Sequence, residues 1–61
     1  MQPPLVREVI NLLEKEGYEL ANCKGSHRQF KKGNRKVTVP GKLNDHLKIG
    51  TWKSIKNQAG W

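Results

Sequence analysis

Leu5, Val6, Val9, Ile10, Leu12 and Leu13 recur at offsets of 3 and 4, an apolar stripe with a helical period. Pro3 and Pro4 suit a first helical turn, where a missing N–H costs nothing, and Gly17 is placed as a C-terminal stop. A first helix is therefore predicted from about residue 4 to about residue 16. The period then falls to two. "YELANC" alternates weakly and predicts a strand with Tyr18 and Leu20 on one face and Glu19 on the other. Lys24, Gly25 and Ser26 form a turn, and "HRQFKK" is a second strand whose one strongly apolar residue is Phe30. Gly33 and Asn34 mark a tight hairpin. "RKVTVP" is a third strand, with Val37 and Val39 inward, Lys36 and Thr38 outward, and Pro40 as its end. A polar loop anchored by Leu43, Leu47 and Ile49 leads to a last helix over about Ile49–Ala59, in which Ile49, Trp52, Ile55 and Ala59 share a face and Gly60 is the stop.

The order helix-strand-strand-strand-helix predicts an α+β fold. A three-stranded antiparallel sheet would have two helices on one face, the arrangement of double-stranded RNA-binding domains. The other face stays in water and presents His27, Gln29, Lys31, Lys36 and Thr38. At 61 residues the chain is read as one domain, 1–61. A domain of this size buries only about 60% of its unfolded surface, so a functional site is expected on an open face rather than in a deep pocket.

Charge sharpens that picture. Residues 1–22 carry two basic and four acidic side chains, whereas residues 23–61 carry ten basic ones and Asp45 alone. Such segregation predicts a polyanion-binding surface. Tyr18, Phe30 and Trp52 fall on core faces and Trp61 is terminal, so no base-stacking platform is expected. Contact with RNA should then run through phosphate and 2′-OH groups.

Cys23 is the sole cysteine, which excludes an internal disulfide and a multi-cysteine zinc module. It reads as a small buried hydrophobe in a chain suited to a reducing cytoplasm. No cofactor and no metal are expected. No apolar run reaches the length of a membrane span, and "MQPPLVREVINLL" lacks the features of a signal peptide, so no membrane partner is expected.

His27 is the residue with chemical potential. RNA carries its own nucleophile, and histidine is the side chain whose ordinary pKa suits removal of the 2′-OH proton near neutral pH. Lys24, Arg28, Lys31 and Lys36 are the cations nearest along the strands for the charge that grows on the phosphate. Gly25 lets the backbone of the Lys24-Gly25-Ser26 turn approach a phosphate, and Gln29 shares the open face. The residue pattern alone leaves two readings open, a proton carrier and a surface residue at a strand start. His46 reads as loop surface, and Ser26 as a turn residue.

"LLEKEGYEL", "KGSHRQF", "RKVTVPGK" and "IGTWKSIKNQAGW", in that order, resemble the HicA family of bacterial toxins over about residues 5–61. The resemblance implies an mRNA interferase, an endoribonuclease acting on mRNA and neutralised by a HicB-like antitoxin that covers the His27 face. It implies that His27, the histidine of Gly-Ser-His, is catalytic. Lys24, Gly25, Ser26, Arg28, Gln29, Lys31 and Lys36 are expected to bind the RNA, and the free toxin to be a monomer. Many relatives continue after Ser with two or three histidines, while this chain reads Ser26-His27-Arg28-Gln29. The alternative reading is a non-catalytic module that binds double-stranded RNA by shape.

Overall fold

The computed structural model describes residues 2–61. Five elements follow in the expected order: α1 Val6–Lys15, β1 Glu19–Lys24, β2 His27–Lys32, β3 Arg35–Val39 and α2 Ile49–Ala59. The strands form an antiparallel sheet in the order β1-β2-β3. Val6, Val9 and Leu13 of α1 and Ile55 and Ala59 of α2 are buried with Phe30, Val37 and Val39 of the sheet. Both helices thus cover the face that carries Phe30, and Tyr18 and Leu47 complete the core.

α1 starts later than the two prolines imply. Pro3 and Pro4 lie outside it, and their carbonyls accept from His46 Nδ1 at 2.8 Å and from the Leu47 N–H at 3.0 Å. Leu5 has no side-chain acceptor for the first helical N–H groups. The Asp45 and Leu43 carbonyls take them instead, from Val6 at 2.9 Å and Arg7 at 3.1 Å. Glu8 reaches back to the Leu5 N–H at 2.8 Å. The loop before α2 is therefore the N-terminal cap of α1, a long-range arrangement that no local motif announces. At the other end Gly17 is left-handed (φ 96°), the Gly17 N–H bonds to Glu14 and the Tyr18 N–H to Leu13. This is a Schellman stop, with Tyr18 and Leu13 both buried against the core.

Four apolar positions depart from the expected pattern. Leu20 is 54% exposed although it lies directly across from Phe30 on the helix-side face, because the helices pack over β3 and leave β1 uncovered. Cys23 is exposed for the same reason, correcting its reading as a buried hydrophobe. Ile49 is 61% exposed at the first position of α2, and Leu43, expected as an anchor, is exposed too. Leu47 alone anchors that loop in the core.

The outer edge of β3 is closed by a side chain. Thr38 N–H donates to Gln58 Oε1 of α2 at 3.0 Å, and Arg35 Nη1 donates to the Gln58 carbonyl at 3.3 Å. Gln58→Ala is expected to cost about 1 kcal/mol, a typical net hydrogen-bond contribution. In a domain of this size that lowers the melting temperature by roughly 4–8 °C. An unchanged melt would show that the edge bond contributes nothing.

Candidate RNA-facing site around His27

The two hairpins have the same build. Gly25-Ser26 and Gly33-Asn34 are two-residue turns in which the glycine takes positive φ (61° and 59°) and no residue other than glycine does. Glycine at the first central position is the pattern of a type II′ hairpin, whose twist matches that of the strands. At Gly25 a side chain would meet open space, so the requirement there is conformational rather than steric.

Register then decides what faces His27. β1 and β2 pair as Glu19–Lys31, Leu20–Phe30, Asn22–Gln29, Cys23–Arg28 and Lys24–His27, with a bulge between Leu20 and Asn22. Ala21 is the extra residue. Without it, Cys23 would stand across from His27. The bulge shifts β1 by one position, so Lys24 takes that place and Cys23 moves to the helix-side face opposite Arg28. β2 and β3 pair Gln29 with Thr38 and Lys31 with Lys36.

The open face therefore reads as three rows: Lys24–His27, Asn22–Gln29–Thr38 and Glu19–Lys31–Lys36. Side chains directly across from one another sit about 4.5–5.5 Å apart at Cβ. Lys24 is thus the immediate neighbour of His27. Lys31 is four residues along β2, about 13 Å away at a strand rise of about 3.3 Å per residue. His27, Lys24, Lys31 and Lys36 are exposed, while Gln29 and Thr38 are half-buried.

Arg28 is placed differently from the expectation. Strand alternation sends it to the helix side, where its Nη1 donates to the Ser26 carbonyl at 3.2 Å and to the Gly41 carbonyl at 2.8 Å. His46 lies elsewhere, tied to Pro3. The groove it lines, with Val6, Gly41 and Thr51, does not include His27. Among the described residues no three His, Cys, Asp or Glu side chains converge as a metal site would require. No helix is long and apolar enough to cross a membrane among them.

Compared with protein families, residues 6–61 match the family described as HicA toxin of bacterial toxin-antitoxin. The chain belongs to the HicA toxin family. Its place is that of the toxin in a toxin–antitoxin system. No curated protein matches the chain. Within this HicA chain the family match spans both helices and all three strands, and so includes the whole face that carries His27.

Pattern reasoning located the His27, Gln29, Lys31, Lys36 and Thr38 face. It missed Asn22 as a member, because only the bulge puts Asn22 beside Gln29. The signal available was the weak alternation of "YELANC", which fits no unbroken two-residue period.

Proposed function

We propose that this HicA-family chain is an mRNA interferase, an endoribonuclease whose proton carrier is His27. The observation that supports it most is the row Lys24–His27, an exposed imidazole beside an exposed ammonium on a sheet face with no helix over it. The imidazole takes the 2′-OH proton, and the 2′-oxygen attacks the adjacent phosphorus. The bond from phosphorus to the 5′-oxygen breaks. The departing oxygen is protonated from the same row, by the imidazolium or the Lys24 ammonium. The ends left behind are a 2′,3′-cyclic phosphate and a 5′-hydroxyl.

Lys24 stabilises the charge that develops on the phosphate oxygens. Lys31 and Lys36 hold the strand further along, and Gln29 lies between as a hydrogen-bond partner. Gly25 and Ser26 bring backbone close to the same phosphate. The reaction draws its nucleophile from RNA itself, so it requires no metal.

Purified protein incubated with a long mRNA in EDTA should leave fragments with cyclic phosphate ends. Intact RNA that is nonetheless bound, with preference for duplex, would favour the non-catalytic reading. A HicB-like antitoxin of acidic character is proposed to cover this face. Lys31→Glu and Lys36→Glu are each expected to weaken RNA binding. Each also reduces the salt dependence of log K by about 0.7 per lost phosphate contact on a single strand. The same variants should weaken capture of the antitoxin, measured by calorimetry. Wild-type affinities for both ligands would remove these lysines from the interface.

A further inference from the structure

Arg28 sits next to His27 in the chain but on the opposite face of the sheet, and its guanidinium is already engaged. Both hydrogens of Nη1 have a carbonyl acceptor, Ser26 O at 3.2 Å and Gly41 O at 2.8 Å. The Ser26 carbonyl belongs to the peptide bond that leads into His27. The Gly41 carbonyl belongs to the turn that follows β3. One nitrogen therefore ties the end of the β1–β2 hairpin to the segment after Val39, across thirteen residues of chain.

We infer that Arg28 is a positioning residue, which fixes the backbone at His27 rather than binding RNA phosphate; this rests on the catalytic reading of His27. The Lys24–His27 pair that closes the hairpin holds the N–H side of the peptide plane between Ser26 and His27, and Arg28 holds its carbonyl side. Gly25 and Ser26 are exposed, β1 is uncovered by helices, and the hairpin is the free end of the sheet. Pinning the Ser26 oxygen on the helix side sets the direction in which the His27 side chain leaves the open face. A flat, donor-rich guanidinium can serve two carbonyls from one nitrogen while its stem packs along the sheet. A lysine ammonium has donors enough for both carbonyls, but its N–H bonds rotate freely and its nitrogen ends nearer the backbone, so it holds neither carbonyl in a fixed plane.

The test uses the full chain with Arg28→Lys and Arg28→Met. The inference predicts that both lower kcat on a single-stranded RNA by about 10- to 100-fold, the scale of a misplaced reacting group. KM and the slope of log K against log salt stay at wild-type values. The backbone amide resonance of Lys42, which follows the Gly41 carbonyl and lies far from the substitution in the chain, shifts in both variants while the melt stays cooperative.

If Arg28→Lys restores full cleavage, and Arg28→Met weakens binding and lowers the salt slope by about 0.7, Arg28 is a phosphate contact and the inference is overturned. Unchanged kcat in both variants overturns it as well. Should cleavage prove insensitive to His27→Ala, the catalytic reading fails separately. The Lys42 amide then decides the brace alone, and its absence is shown by a wild-type resonance there.

Discussion

Replacing His27 with alanine is expected to lower RNA cleavage by roughly 10²- to 10⁴-fold, the usual range for losing a general acid or base. RNA binding should stay close to wild type. His27 is exposed at the end of β2 and has no part in the core, so the variant should melt like the parent. On the proposed reading the affinity would rest on Lys24, Lys31 and Lys36, which the substitution leaves in place. The effect should therefore appear in kcat rather than KM. His46→Ala provides the comparison, since it removes the other histidine. Its Nδ1 bond to Pro3 braces the start of α1, so that variant should lose some stability but keep cleavage. Equal cleavage by wild type and His27→Ala, at matched concentration and in EDTA, would exclude His27 as the proton carrier. Loss of activity in both histidine variants alike would point to a general weakening of the fold.

The face that carries His27 was legible because β2 and β3 are short and regular, and a single buried residue fixes each alternation. Phe30 inward sends His27, Gln29 and Lys31 outward; Val37 and Val39 inward do the same for Lys36 and Thr38. The same alternation places Arg28 with Phe30, although charge alone groups it with the lysines of the open face. β1 was harder to read. Its apolar residues are not selected by burial, since no helix covers that strand, and a bulge breaks its period. Hydrophobicity places Cys23 inside and Leu20 on the face of Tyr18, whereas the position of the helices leaves both in solvent. The two ends of α1 show a similar contrast. Gly17 and Tyr18 announce the C-terminus locally. The N-terminus is capped by carbonyls of Leu43 and Asp45, more than thirty residues away in the chain. Local sequence could not show that, and the prolines misplaced the start.

These features also explain how a toxin so small can carry a strongly basic face. The acidic residues of the first third lie on and after α1, with Glu8 capping its start. The cations are concentrated in the sheet, its connecting loops and α2. Like charges directly opposite, as at Lys31–Lys36, are destabilising, and in this fold they are tolerated because both side chains are exposed. Neutralisation by an acidic antitoxin would relieve that repulsion and block the Lys24–His27 row in one contact.

Phe30→Ala should be the most damaging single substitution in the protein. Phe30 is 2% exposed, lies across from Val37 on one side and Leu20 on the other, and is the largest fully buried side chain of the core. Truncating a buried phenylalanine costs about 3–5 kcal/mol. A domain of this length has only about 3–9 kcal/mol to lose, at roughly 0.05–0.15 kcal/mol per residue. At about 4–8 °C per kcal/mol the melt should fall by at least some 12 °C, or lose its cooperative transition at room temperature. Cleavage would then vanish with the fold, and RNA binding with it, which distinguishes this variant from His27→Ala. Leu20→Ala is the control, because Leu20 stands across from Phe30 yet lies open to solvent; its cost should stay within about 0.5 kcal/mol. A large loss at Leu20 would mean that β1 is covered in solution, by a second copy or by another partner. A small loss at Phe30 would mean that the sheet does not depend on the helices packed beneath it.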